Sequence, residues 1–263
     1  MELKQLFADR AGVHDGLKQG LLIGIAVLTL TLQPSGPRTA RFIDGGASSG
    51  AIANALDASP RLAVFGAVQP SEDVRRVADW VATSRDNQSR TFAILDKRGA
   101  QLYVFNRDAR IVGASRVLLG AAPGDDSVPG IGQRPMDQVR PEEKTTPAGR
   151  FVSHPGRNAS GEEVIWVDYD AAVSMHRVRI VDPKERRLER LASAVAEDRR
   201  ISYGCINIPI PFFDAVMRPM LGASPAVVYV LPERKQLAEV FPAIERTSTV
   251  ARTAIGHGKR TDL

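Results

Sequence analysis

Cysteine is nearly absent from this sequence, with one residue, Cys205, among 263. A single cysteine excludes an intramolecular disulfide framework and a cysteine-rich zinc site. A strong excess of one charge is lacking too, because 35 Lys and Arg stand against 30 Asp and Glu. The net charge of +5 could favour an anionic surface or polymer. It is not by itself the footprint of a nucleic-acid-binding protein, and we predict no nucleic-acid partner.

A long apolar run is lacking as well. Residues 21–32 form an uncharged apolar run of 12 residues, whereas a membrane-spanning helix needs about 20. This length is typical of the apolar core of an export signal. We therefore predict a signal or an uncleaved inner-membrane anchor over residues 1–38, and a location in the periplasm or cell envelope. A buried core helix is the alternative interpretation of this run.

The remaining chain divides by composition and by the period of its apolar residues. Over residues 39–88, we predict a linker rich in Gly, Ala, Ser and Pro, followed by a helix that begins at Ser71 and ends near residue 83. We predict the main domain over residues 89–232 and a charged C-terminal tail over residues 233–263. Within the main domain, short apolar segments between turn residues predict strands over 92–96, 101–105, 111–114, 116–120, 151–153, 164–167, 172–180 and 227–231.

Three further segments of the main domain are not strands by pattern. The spacing of apolar residues predicts a helix over 185–198, and a second helix begins at Pro209. Residues 121–146 form a long loop that is dense in Gly, Pro and acidic residues. A loop of this length inside a compact domain is usually functional or mobile.

Cys205 follows Gly204 at a turn between apolar residues, which makes its thiol a candidate nucleophile. An inert, buried cysteine is the alternative. A thiol has an ordinary pKa of about 8.5, so a nucleophilic one needs a base or a cationic partner. Of the four histidines, His176 is the best candidate base because it ends a predicted strand. Of the other histidines, His14 precedes the apolar run, His154 lies in a Pro/Gly loop and His257 lies in the tail.

Residues 201–207, Ile-Ser-Tyr-Gly-Cys-Ile-Asn, resemble the signature of the L,D-transpeptidases, the YkuD-type cysteine transpeptidases of peptidoglycan. That signature reads Ser/Thr-His-Gly-Cys-apolar-Asn and follows an upstream His. Residues 144–151 resemble the family's Thr-Pro-x-Gly segment, and the strands around Gly99 resemble its opening strands. The likeness covers about residues 90–232. Two features depart from it: Tyr203 replaces the usual His, and the predicted helix over 185–198 lengthens the interval between His176 and Cys205.

The resemblance implies a mainly β sandwich or barrel-like domain with short flanking helices. It also implies that Cys205, deprotonated by His176, attacks the third residue of a peptidoglycan tetrapeptide stem. D-alanine then leaves, and an amine acceptor resolves the thioester in cell-wall cross-linking. The amides of Gly204 and Cys205 would donate to the oxyanion, and the carbonyl of Arg177 or Ser174 would orient His176.

Further roles follow from the same resemblance. Ser202 and Tyr203 would shape the cleft, and the loop over 121–146 would act as a lid. Asn207 would brace the cysteine turn, or would be an ordinary turn residue. Arg199 and Arg200 would bind stem carboxylates, or would be surface arginines without a ligand.

The predicted partners are peptidoglycan stem peptides and, through residues 21–32, the inner membrane. No metal or cofactor is implied, and the sequence offers no ligand cluster for one. Two alternative functions remain at this point. One is a non-catalytic peptidoglycan-binding domain, and the other is a thiol hydrolase such as an L,D-carboxypeptidase.

Overall fold

The computed structural model describes residues 61–245. The predicted signal or anchor over residues 1–38, with its apolar run, lies outside this range. The linker up to residue 60 and the end of the tail from residue 246 lie outside it too. Among the described residues, no helix is long and apolar enough to cross a membrane.

The described part is mostly β, with a few short helices. Its strands are β1 (Phe92–Asp96), β2 (Gln101–Phe105), β3 (Ile111–Arg116), β4 (Leu119–Gly120), β5 (Gly149–Arg157), β6 (Glu163–Asp168), β7 (Val173–Arg177), β8 (Arg200–Ser202), β9 (Ile206–Ile208) and β10 (Ala226–Val230). Its α-helices are α1 (Glu72–Ser84), α2 (Arg187–Ala192), α3 (Ile210–Phe212), α4 (Arg218–Leu221) and α5 (Leu237–Val240). A π-helical turn, Phe213–Met217, joins α3 to α4.

Eight strands form one sheet in the order β3-β2-β1-β10-β5-β6-β7-β9, and β4 pairs with β8 separately. Neighbours in the large sheet are antiparallel, except that β1 pairs in parallel with β10, and β7 with β9. Leu118 and Asn207 exchange two backbone hydrogen bonds of 2.9 Å, which join the segment after β3 to the outer edge of β9. The sheet is therefore nearly closed. The prediction of a mainly β, barrel-like domain with short helices is confirmed.

Two apolar cores lie on opposite faces of the central strands. In β1, Ala93 and Leu95 belong to one core, while Phe92 and Ile94 belong to the other. Alternate residues of a strand point to opposite faces, so a strand that is buried on both faces is apolar throughout. The first core includes Met175 and the residue after Cys205, Ile206. This core therefore packs beneath the strands that carry the candidate site.

Helix α1 covers the second core. Ser71 caps its first turn, since its Oγ accepts a hydrogen bond from the Val74 amide at 3.4 Å. The buried face of α1 packs with Phe92 and Tyr229, and Phe241 beyond α5 joins the same core. The packed unit therefore extends on both sides of the predicted main domain over residues 89–232.

The region between β7 and β8 differs from the prediction of one helix over residues 185–198. A 3₁₀ turn, Pro183–Glu185, precedes the short α2, and another, Glu197–Arg199, follows it. Ser193 leaves the helical conformation, with φ −56° and ψ 140°. Its hydroxyl accepts from the Val195 amide at 3.1 Å and donates to Asp198 at 2.6 Å. Such local side-chain bonds compete with helical ones and end α2 at this point.

Candidate active site

The pairing of β7 with β9 places the cysteine turn beside the candidate base. His176 lies opposite Asn207 in the parallel register, and Met175 lies opposite Ile206. One step earlier, the Ser174 hydroxyl lies 3.8 Å from the Cys205 sulfur. Because alternate strand residues share a face, His176 and Ser174 lie on the face that carries Cys205. His176 therefore lies on the same face as the thiol, two residues along β7 from Ser174.

The ring of His176 is oriented by a backbone carbonyl. Its Nδ1 lies 2.8 Å from the carbonyl oxygen of Arg177. This is one of the two carbonyls that the family resemblance implied for this contact. A carbonyl only accepts hydrogen bonds, so Nδ1 carries a proton and Nε2 is the ring nitrogen left to accept one. Burial lowers the pKa of His176, and the positive charges of Arg179 and Arg187 lower it further. The Arg177 carbonyl and Glu162 oppose this shift in part.

The Cys205 thiol is half-buried rather than enclosed in the core. Besides the Ser174 hydroxyl, its sulfur contacts the carbonyl oxygen of Ala172 at 3.6 Å. Both contacts come from β7 and from the turn that precedes it. The side chain is therefore oriented by weak polar contacts while part of it remains accessible.

Only glycine fits at position 204. Gly204 has φ +131°, and a Cβ atom there would lie 2.6 Å from the carbonyl oxygen of Thr145. Thr146, which follows Thr145, donates from its hydroxyl to the Gly204 carbonyl at 2.8 Å. The same hydroxyl accepts from the Gly120 amide at 3.0 Å. The segment over residues 145–147, Thr-Thr-Pro, and the turn at Gly204 and Cys205 thus hold each other in place.

Two side chains converge on the carbonyl of Cys205. Ser202 Oγ donates to it at 2.6 Å, and Asn207 Nδ2 donates to it at 3.2 Å. Ser202 Oγ also accepts from the Gly204 amide at 3.1 Å. Of the two predicted oxyanion donors, the Gly204 amide is therefore already engaged, and the Cys205 amide is the one we retain.

Arg187 of α2 is a contributor that the sequence did not indicate. Its Nη1 donates to Asn207 Oδ1 at 2.7 Å, and its Nε donates to Glu185 at 2.5 Å. Asn207 is buried, and the guanidinium fixes which end of its amide is the acceptor. The other end, Nδ2, consequently faces the Cys205 carbonyl. The segment that lengthens the interval from His176 to Cys205 thus supplies a brace for the cysteine turn.

Lys97 forms a buried polar cluster behind the turn. Its fully buried ammonium donates to Gly124 O at 2.5 Å, to Asp125 Oδ1 at 2.7 Å and to Thr146 O at 2.9 Å. Burial alone would raise the pKa of Asp125, but hydrogen bonds from Lys97 and from the amides of residues 233–235 hold it well below its usual value. The cluster ties the start of the loop over 121–146 to Thr146.

Arg199 and Arg200 have partners within the fold. Arg199 is buried and donates to the carbonyls of Gly99, at 2.8 Å, and Ser193. Arg200 is paired with Glu233 and donates to the Lys97 carbonyl at 2.8 Å. Both guanidinium groups are therefore engaged by the protein, and we do not assign a substrate carboxylate to either.

The loop over 121–146 contacts the turn that leads into β7. A Cβ atom at Gly132 would lie 2.5 Å from the carbonyl oxygen of Asp170, so the two backbones are in close contact. Glu143 accepts hydrogen bonds from Arg140 and Arg134, which lower its pKa to about 2. The contact at Gly132 places the middle of the loop near Ala172, beside the thiol. The lid role remains a prediction.

Tyr203 is 39% exposed, and the ammonium of Lys144 lies 3.9 Å from the centre of its ring. Arg177, whose carbonyl orients His176, directs its side chain to Asp214 at 2.9 Å and Glu163 at 3.0 Å. Another described histidine, His154, is exposed on β5 opposite Trp166. Within residues 61–245, no group of three or more His, Cys, Asp or Glu side chains is placed to hold a metal ion.

No protein-family model matches this chain, and no curated protein matches it. Among solved structures, the chain is similar to a variant of the helical cell shape determining protein Pgp2 from Campylobacter jejuni, with 12% identity and a TM-score of 0.38. That match covers 64% of this chain and 58%, less than two thirds, of the other. An L,D-transpeptidase from Xylanimonas cellulosilytica matches with 12% identity and a TM-score of 0.34, over 75% of this chain and 100% of the other. At these values neither likeness bears on the chemistry of this chain.

Proposed function

We propose that this protein is a cysteine acyltransferase of the L,D-transpeptidase type, which acts on the tetrapeptide stem of peptidoglycan. One observation carries the proposal: the pairing of β7 with β9 sets His176, fixed through the Arg177 carbonyl, on the same face as the Cys205 thiol. The resemblance of residues 201–207 to the family signature supports the substrate class. The envelope location remains a prediction from residues 21–32.

In the first half-reaction, the thiol proton passes to Nε2 of His176 and the sulfur attacks the carbonyl carbon of the third stem residue. The Cys205 amide would donate to the developing oxyanion, the charge that such sites stabilise most strongly. The bond from that carbonyl carbon to the D-alanine nitrogen then breaks. D-alanine leaves with the proton from His176, and the stem remains attached as a thioester.

In the second half-reaction, the amine of another stem attacks the thioester carbonyl while His176 accepts its proton. The carbon–sulfur bond breaks, a new amide forms, and the thiolate regains a proton from His176. If water replaces the amine, the product is a tripeptide stem and the enzyme is a carboxypeptidase.

Tyr203 does not take part as a base in this scheme. Its ring faces the Lys144 ammonium, so we assign it to the wall of the cleft. In this scheme, His176 alone accepts and donates the transferred protons.

The proposal is tested by incubating the full chain with a disaccharide-tetrapeptide and measuring released D-alanine and the peptide products. We expect wild type to release D-alanine and Cys205→Ala to release none. His176→Gln should lower the rate by about 10²–10⁴-fold, the usual contribution of a general base. His154→Gln, which alters an exposed histidine on β5, should match wild type.

The products decide between the alternative functions. Cross-linked dimers indicate transfer to an amine, and tripeptide alone indicates hydrolysis. A folded wild type that binds peptidoglycan sacculi but releases no D-alanine would contradict the enzyme proposal and favour a binding domain.

A further inference from the structure

Lys144 belongs to the segment that packs directly against the cysteine turn. The carbonyl oxygen of Thr145 is the atom that a side chain at Gly204 would strike first. Thr146 donates to the Gly204 carbonyl at 2.8 Å. Lys144 therefore stands at the start of a three-residue segment that contacts the residue before Cys205.

The side chain of Lys144 is held over the ring of Tyr203, with Nζ 3.9 Å from the ring centre. An aromatic face attracts an ammonium through its quadrupole, and this contact localises the cation without cancelling its charge. Tyr203 is 39% exposed and lies two residues before Cys205. The pair thus presents a fixed positive charge at the accessible side of the turn.

No carboxylate within residues 61–245 forms an ion pair with Lys144, unlike the other lysines at this end of the fold. Lys97 is paired with Asp125, and Lys235 with Asp126. The two acidic residues that precede Lys144 are committed to arginines: Glu142 pairs with Arg140, and Glu143 pairs with Arg134 and Arg140. The charge of Lys144 is therefore available to a ligand.

We propose that Lys144 and Tyr203 form a carboxylate-binding subsite beside Cys205, which binds the terminal carboxylate of the acyl donor. The identity of that donor rests on the proposed function. In a tetrapeptide stem, the residue that leaves carries a free carboxylate one carbon away from the scissile amide nitrogen. A thiol that attacks this amide therefore needs a cation close by, and Tyr203 holds Lys144 there.

Alkylation of Cys205 tests the subsite without any peptidoglycan substrate. Iodoacetate and iodoacetamide react alike: the thiolate sulfur displaces iodide, so a carbon–sulfur bond forms as a carbon–iodine bond breaks. They differ only in carrying a carboxylate or a neutral amide. Because Cys205 is the single cysteine of the chain, the ratio of the two rates reports positive charge at that thiol.

We expect Lys144→Met to lower the iodoacetate-to-iodoacetamide rate ratio by roughly three- to fivefold, the scale of a solvent-accessible charge pair. Lys144→Arg and Tyr203→Phe keep the cation and the ring, so both should retain the ratio. Tyr203→Leu removes the ring face and should lower it. Arg75→Met is the matched control, since it removes one charge from another cation–π contact, that of Arg75 on α1 with the ring of Phe65.

The same variants are then compared on a tetrapeptide with a C-terminal carboxylate and on its C-terminal amide. Lys144→Met should raise KM for the acid and leave KM for the amide unchanged. If the alkylation ratio falls in this variant while wild type releases no D-alanine, the subsite stands and the proposed function fails. If D-alanine is released but neither the alkylation ratio nor the acid-to-amide preference changes in Lys144→Met and Tyr203→Leu, the subsite is overturned and the function stands.

Discussion

Replacing Lys97 with methionine is expected to lower the free energy of unfolding by about 3–5 kcal/mol, the range for removing one partner of a buried ion pair. The ammonium is fully buried, and it donates to Asp125 Oδ1 and to the carbonyls of Gly124 and Thr146. Methionine is similar in length but donates nothing. All three acceptors therefore lose a donor in a site that water does not reach.

The magnitude follows from the partners that remain. A buried acceptor without a donor costs about 1–3 kcal/mol, so three such acceptors set an upper limit of roughly 9 kcal/mol. Asp125 keeps the backbone amides of residues 233–235, at 2.7–2.9 Å. Glu233, which lies 3.4 Å from the ammonium, keeps Arg200. Because these bonds remain, we expect the loss in the free energy of unfolding to stay at about 3–5 kcal/mol, well below that upper limit.

Urea unfolding at neutral pH, followed by circular dichroism, measures the effect. Lys235→Met is the control, because Lys235 pairs with Asp126 at the surface, where ion pairs contribute little to stability. The double variant of Lys97→Met with Asp125→Asn should lose less than the sum of the two single variants. A loss under about 1 kcal/mol for Lys97→Met, or one equal to that of Lys235→Met, would refute the reasoning.

Further predictions concern the cysteine turn and the base. Gly204→Ala should destabilise the fold by at least about 1–3 kcal/mol, from backbone strain at φ +131°, and should abolish D-alanine release. Gly161→Ala, with φ +78° and open space around its Cβ position, should lose only the strain, and equal effects of both substitutions would exclude the close contact as a cause. Arg187→Met removes a charge that lowers the pKa of His176, so the acid limb of the pH–rate profile should move to higher pH. Glu162→Gln removes a charge that raises this pKa, so the limb should move to lower pH, and shifts in the same direction for both variants would contradict this electrostatic account.

Local patterns in the sequence predict several elements that the structure contains. The helix α1 follows from Ser71 and from apolar residues at helical spacing, and β1 and β2 follow from apolar segments separated by a turn. The contact between His176 Nδ1 and the Arg177 carbonyl is one of the two that the family resemblance implied. These features depend on residues that are close together in the chain, which is why sequence patterns reveal them.

The strands beside Cys205 were not predicted, because β8 and β9 have three residues each. Three residues are too few to show a period, and these strands form only because β4, β7 and Leu118 pair with them. Such pairings are tertiary and leave no local pattern.

The polar braces of the site were missed for a related reason. Lys97 lies between two strands and resembles a solvated turn residue, yet it is fully buried by segments 27–49 residues away. Arg187 reaches Asn207 across 20 residues. Arg199 and Arg200 have the composition of a surface pair, but the fold surrounds them with carbonyls and Glu233. Long charged side chains reveal their partners only once the chain has folded.

The most direct test of the proposed chemistry is the intact mass of the full chain after reaction with a carbapenem, whose β-lactam carbonyl stands in for the stem amide. Ring opening by the Cys205 sulfur loses no atoms, so the account predicts a gain of one whole inhibitor mass in wild type and none in Cys205→Ala. A folded wild type that gains no mass, or a Cys205→Ala variant that gains the same mass, would contradict the assignment of Cys205 as the nucleophile.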